Sequence, residues 1–87
     1  MKRKIAFEPD AFSEFQWWLI TDKKIAEKII ILIENISSTP FSVLGKPEPL
    51  KNQYKGYWSR RITDEHRLIY KVNDAEIIII GCKNHYK

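Results

Sequence analysis

One cysteine, Cys82, is the only thiol in this chain. It cannot close an internal disulfide or build a cysteine-based metal cluster, and such sparse usage fits a reducing compartment. Two histidines, His66 and His85, are too few for a histidine-rich metal site. The longest apolar run, Ile29 to Ile33, falls far short of the roughly 20 residues that span a bilayer. The basic start, Lys2-Arg3-Lys4, resembles the head of a secretion signal, but Glu8, Pro9 and Asp10 interrupt what should then be an apolar segment. No internal repeat, low-complexity tract or linker divides the chain. These absences predict a soluble cytoplasmic protein without metal, cofactor or membrane anchor.

The 87 residues suffice for one domain, spanning 1–87. A chain of this size buries little more than ~60% of its unfolded surface, enough for one modest core and too little for a deep cofactor cavity. Its chemistry is therefore expected on the surface. The formal charge is +4, and its placement is uneven. Residues 1–44 carry six basic and six acidic side chains, whereas residues 45–87 carry nine basic and five acidic ones, so the whole excess lies in the second half.

Ile5 to Phe7 is short and compatible with a strand, and Glu8-Pro9-Asp10 reads as a helix entrance with proline in the first turn. Phe12, Phe15, Trp18 and Leu19 recur at helical spacing and predict a core-facing stripe, with Trp17 at its margin. Thr21 or Asp22 can cap a second helix whose apolar stripe is Ile25, Ile29, Leu32, Ile33 and Ile36. Ser37-Ser38-Thr39-Pro40 ends that helix. Between Phe41 and Gly56 periodicity disappears into a long loop punctuated by Gly45, Pro47 and Pro49. Three strand-like runs follow, Tyr57 to Thr63, His66 to Val72 and Glu76 to Cys82, and read as an antiparallel meander. One face of it packs on helices and the other displays arginine, while Ile77 to Ile80 lacks alternation and predicts a strand covered on both faces, or nearly so. The expected class is α+β.

Three groups of residues carry candidate chemistry. Lys46, Lys51, Lys55, Arg60, Arg61 and Arg67 are interleaved with Tyr54, Tyr57, Trp58 and Tyr70. Cations neutralise phosphates and aromatic faces stack unpaired bases, so the set suits nucleic acid; a solvated surface over an ordinary core sheet would look similar. Glu48 sits in Lys46-Pro47-Glu48-Pro49-Leu50-Lys51, where flanking prolines restrict it and nearby cations favour its ionised, proton-accepting form. An exposed glutamate in a proline loop, or a partner-docking loop, is the plainer alternative. In Lys83-Asn84-His85-Tyr86-Lys87, histidine can donate a proton near neutral pH and tyrosine can stack or orient, although terminal residues also fray. His66 competes for the role of acid, and its place beside Asp64-Glu65 equally suits a structural hydrogen bond or ion pair.

Metal-free RNA cleavage needs a base for the ribose 2′-hydroxyl, cations around the pentacoordinate phosphorus and an acid for the departing 5′-oxygen. Glu48, Arg61 and Arg67 with Lys51, and His85 could supply these, and the need for a 2′-hydroxyl would confine cleavage to RNA.

The block Thr39-Pro40-Phe41, then Gly45-Lys46-Pro47-Glu48-Pro49-Leu50-Lys51, then Gly56 through Tyr70, closely resembles the YoeB (Txe) toxins of the RelE-like superfamily. The similarity extends to Trp18, Thr21-Asp22-Lys23 and the terminal His85-Tyr86. It implies the toxin of a bacterial type II toxin–antitoxin pair, a ribosome-dependent endoribonuclease that cuts mRNA in the ribosomal A site. The fold it implies is RelE-like: an N-terminal strand and a two-helix hairpin packed on an antiparallel sheet. By the same resemblance Glu48 is the general base and His85 the general acid. Arg67 and Lys51 contact the phosphate and transition state, Arg61 supports them, and Tyr86 positions substrate or acid. A YefM-like antitoxin and a toxin homodimer are implied as partners. Unlike chains that end at the tyrosine, this one continues to Lys87. The competing readings are a non-catalytic blocker that occupies RNA or the ribosome, and an inactive toxin kept for antitoxin binding and autoregulation.

Overall fold

The computed structural model describes residues 2–41, 47–51 and 54–84. Its elements run β1 (Lys4–Phe7), α1 (Pro9–Thr21), α2 (Lys23–Ser38), β2 (Glu48–Pro49), β3 (Tyr57–Arg61), β4 (Arg67–Val72) and β5 (Glu76–Gly81).

Local chemistry explains the helix boundaries. Pro9 occupies the first turn of α1, where its missing N–H would have had no helical partner, and Asp10 complements the positive end of the helix dipole. Asp22 then acts twice. Its backbone leaves the helical region, with its N–H donating to the Trp18 carbonyl, and its Oδ1 accepts from the N–H groups of Lys24 (3.1 Å) and Ile25 (3.4 Å). One residue thus stops α1 and caps α2, which makes the hairpin tight. At the far end Ser37 Oγ donates to the Glu34 carbonyl and Thr39 Oγ1 to the Asn35 carbonyl, just before Pro40.

The five strands form one sheet in the order β1-β5-β4-β3-β2. Strands β3, β4 and β5 are the antiparallel meander that the alternation predicts. The N-terminal strand belongs to the same sheet and joins it parallel to β5, with Ile5 beside Ile77 and Phe7 beside Ile79, so the sheet is mixed. At the other edge the aperiodic loop contributes β2. Two residues are too few for alternation to register, and the proline at 49 is tolerated because the strand is an edge.

Both helices cover one face. The core combines Ala11 and Trp18 of α1, Ala26, Ile29, Leu32 and Ile36 of α2, and Leu68, Tyr70, Ile77 and Ile79 of the sheet. The α2 stripe packs as its spacing predicts. The α1 stripe does so in half of its residues: Trp18 is buried and Phe15 packs against the core, whereas Phe12 is 49% exposed and Leu19 44%. The buried line runs through Ala11, Phe15 and Trp18, at i, i+4 and i+7, which leaves Phe12 and Leu19 one step around the helix. In β5, Ile77 and Ile79 are fully buried against the helices, while Ile78 and Ile80 on the other face are half-buried.

Candidate functional site

The sheet face turned away from the helices carries three of the candidate residues, Glu48, Arg61 and Arg67. Opposed residues of an antiparallel pair project to the same side, and so do residues two apart along one strand. Glu48 pairs with Ser59, and Arg61, two residues further along β3, pairs with Arg67 of β4. Glu48, Arg61 and Arg67 therefore share one face. Strand spacing and rise separate the backbones of Glu48 and Arg61 by about 8 Å, a span that a phosphodiester with its flanking sugars can bridge. The Leu50 N–H donates to the Tyr57 carbonyl (2.9 Å), which extends the β2 register to the residue before Lys51. Lys51 itself is exposed.

The two arginines differ in freedom. Arg61 Nη1 lies 3.7 Å from Asp64 Oδ1 in a solvated pair of little net strength, which an incoming phosphate can displace. Arg67 Nη1 donates to three carbonyls of the β3–β4 turn: Thr63 (2.6 Å), His66 (3.2 Å) and Asp64 (3.4 Å). Among the described residues its other guanidinium nitrogens make no hydrogen bond, so the turn fixes one side of a planar fork and leaves the other for an anion.

Arg60 does not belong to this face, contrary to the expectation that grouped it with the surface cations. It shares the parity of Trp58 and Ile62 and is fully buried. Its Nε donates to Tyr70 Oη (3.1 Å), Nη1 to Asn35 Oδ1 and Nη2 to the Thr39 carbonyl (2.9 Å). Tyr70 in turn donates to the Pro40 carbonyl (2.9 Å). Tyr70 is thus a core residue and not a stacking platform; burial raises its phenol above the ordinary range, against the opposing influence of Arg60. The pair ties β3 and β4 to the chain leaving α2.

The chain after β5 is held at several points. A register shift between Ile69 and Tyr70 of β4 lets β5 turn, since Ile69 pairs with Gly81 and Tyr70 with Ile79. The Cys82 N–H then donates to Glu14 Oε1 (2.8 Å), and its carbonyl accepts from Trp18 Nε1 (2.9 Å). Burial, helped by the Glu14 carboxylate, pushes the Cys82 thiol up to about 12, so it stays a neutral core group. Lys83 Nζ stands 4.1 Å from the centre of the Trp17 ring. Asn84, in the left-handed region at φ 67°, donates its N–H to His66 Nδ1 (2.7 Å) and accepts at its carbonyl from the Arg67 N–H (3.2 Å). His66 meets Trp18 edge to face at 4.7 Å. Of its two sequence readings, the structural hydrogen bond is present. Lys46, His85, Tyr86 and Lys87 lie outside the described residues.

Neither β2 nor the anchoring of Asn84 was visible in the sequence. The burial of Arg60 was not read from the sequence either, although the parity it shares with Trp58 and Ile62 signals it. A cleft lined by Lys2, Arg3, Lys4, Asp74 and Ala75 lies at the β1 edge, the opposite end of the sheet from Glu48.

The sequence and the fold both match known proteins. Residues 7–86 match the family described as YoeB-like toxin of bacterial type II toxin-antitoxin system. The chain is 49% identical over 84 residues to Toxin YoeB of Mycobacterium bovis, covering 97% of this chain and 99% of the relative. It superposes on the YoeB dimer structure from Staphylococcus aureus with a TM-score of 0.91 at 42% identity, over 99% of this chain and 100% of the other. The S. aureus YoeB-YefM complex aligns with a TM-score of 0.88 at 41% identity, over the same shares.

Proposed function

The chain belongs to the YoeB-like toxins of bacterial type II toxin–antitoxin systems, and from that premise we propose that it is a ribosome-dependent endoribonuclease cutting mRNA in the A site. The observation that carries this reading is the sheet register: Glu48 shares one face with the cross-strand pair Arg61 and Arg67, and Asn84, to which His85 is bonded, is hydrogen-bonded to the Arg67 backbone. In the proposed reaction Glu48 takes the proton of the ribose 2′-hydroxyl. The resulting oxygen attacks the adjacent phosphorus, and Arg67 and Lys51, supported by Arg61, offset the charge that builds on the phosphoryl oxygens. The bond to the 5′-oxygen breaks as His85 protonates it, leaving a 2′,3′-cyclic phosphate and a 5′-hydroxyl. Tyr86 positions substrate or acid. No step in this scheme is assigned to a metal or cofactor.

As one RelE-like domain over 1–87, the toxin acts in this scheme on a message that the ribosome holds for it. Its partners by this reading are mRNA, the ribosome, a YefM-like antitoxin and a second copy of itself in the cytoplasm. The S. aureus structures support the antitoxin and the second copy, as does apolar surface left on the helices at Phe12, Leu19, Ile20 and Ile31.

Primer extension on translated mRNA tests the activity. New 5′ ends that persist after deproteinisation are expected; a block that vanishes with the protein would instead assign it to occupancy, and no effect at all would make it an inactive toxin kept for its antitoxin. Single-turnover cleavage of ribosome-bound message should slow by about 10²–10⁴ in Glu48→Ala and in His85→Ala. Wild-type rates in either would remove that residue from the mechanism, and a 3′-hydroxyl at the cut would exclude cyclisation.

A further inference from the structure

His66 lies on the turn before β4, next to Arg67 but with its ring directed at α1 and the departing chain. Its Nδ1 accepts the Asn84 N–H at 2.7 Å. An acceptor nitrogen is unprotonated, so in the neutral ring the proton sits on Nε2. The ring itself is braced by Trp18, edge to face at 4.7 Å, and Trp18 Nε1 holds the Cys82 carbonyl two residues before Asn84. On the other side of the same peptide segment the Arg67 N–H donates to the Asn84 carbonyl. Asn84 is thereby gripped at both backbone groups by consecutive residues, His66 through its side chain and Arg67 through its main chain. It also adopts the left-handed conformation, φ 67°, which asparagine tolerates better than other non-glycine residues.

We propose that His66 is a positioning residue of the cleavage site: by accepting the Asn84 N–H it fixes the direction in which the chain leaves Asn84 for His85 and Tyr86. This deepens the cleavage reading above and rests on it. His66 transfers no proton in this scheme. Its contribution is geometric: a group carried on an unanchored tail samples many positions, and misplacement by about 1 Å costs on the order of 10² in rate. Glu14 and Trp18 fix where the tail starts, at Cys82, and His66 fixes where it points.

Two substitutions separate acceptor from ring. His66→Phe keeps a planar ring against Trp18 and removes the acceptor, whereas His66→Asn loses the ring but sets an amide oxygen close to where Nδ1 stood. In ¹⁵N-labelled protein the Asn84 amide should lose its hydrogen-exchange protection in His66→Phe and recover it in His66→Asn, while the Cys82 amide, bonded to Glu14, stays protected in both. Single-turnover cleavage should fall about 10²-fold in His66→Phe and return to within about threefold of wild type in His66→Asn. Adding His66→Phe to His85→Ala should slow cleavage no further, because both act through the same tail. Unchanged protection of Asn84 in His66→Phe overturns the proposal whatever the activity. So does an inactive His66→Asn with a protected Asn84, since that result would make His66 itself the acid. Failure of the cleavage reading shows separately, as wild-type rates in His85→Ala, and leaves the Asn84 measurement intact.

Discussion

Arg60 is the residue at which charge and position disagree most. Strand alternation turns it inward with Trp58 and Ile62, and the fold accepts it by giving the guanidinium an aromatic hydroxyl, a side-chain amide oxygen and a backbone carbonyl. Removing one partner of such a buried network strands the others, so Arg60→Met should destabilise the protein by about 2–4 kcal/mol in urea unfolding. Arg60→Lys should recover little, because an ammonium lacks the planar fork that reaches Asn35 and Thr39 together. A shift in urea midpoint within error of wild type for both variants would mean that the network contributes nothing net. Residue type pointed Arg60 outward and residue number pointed it inward; number prevailed because a one-residue slip would have turned Trp58 and Ile62 to solvent. Cys82 makes a second prediction at this scale. Its thiol ionises near about 12 in the fold and from a starting value of 9.0 when unfolded, so between those values the unfolded chain binds fewer protons. Stability should therefore fall as pH rises through that window, by up to about 1.4 kcal/mol per unit, with Tyr70 adding in the same direction at its upper end. Urea melts between about pH 8 and pH 11 read this slope, and Cys82→Ala should flatten it.

Among the elements, the helices were the most legible and β2 the least. The α2 stripe persists over four turns, long enough for a period of 3.6 to stand out, and Asp22 supplied an N-cap in the usual place. Asp22→Ala should cost about 1 kcal/mol, seen as a lower urea midpoint at unchanged slope. A loss several times larger would mean that the turn between the helices, and not the cap alone, depends on this side chain. The α1 stripe is legible at Phe15 and Trp18, which meet the core, and not at its start, where the small Ala11 is pressed fully against the core and Phe12 meets Phe7 edge-on at 5.9 Å near the surface. For β2 the obstacle is physical. Two residues, one of them proline, have no period, and only the partner strand, eight residues further on, supplies the register that turns Glu48 to the face of Arg61. Glu48, Arg61 and Arg67 could be nominated from residue type and resemblance; their common face could not.

At the scale of the molecule the charge arithmetic acquires a direction. The half that carries the excess of positive charge, residues 45–87, also contains β2 to β5 with the cross-strand pair Arg61 and Arg67, whereas the neutral half forms β1 and the two helices. Binding to ribosomes or RNA should weaken with salt, and Lys51→Ala should lower the slope of log affinity against log salt by about 1 without changing the fold. An unchanged slope would remove Lys51 from the phosphate contacts. The parallel pairing of β1 with β5 carries a different kind of consequence. The first strand to be synthesised finds its partner only when residues 76–81 have been made, the most distant pairing in the sheet. At about 5–20 residues per second that wait lasts roughly 4–14 s, during which Ile5 and Phe7 have no strand to join. Synthesis therefore runs ahead of folding, and the half-made chain has neither the β1–β5 pairing nor the hydrogen bonds that hold Cys82 and Asn84.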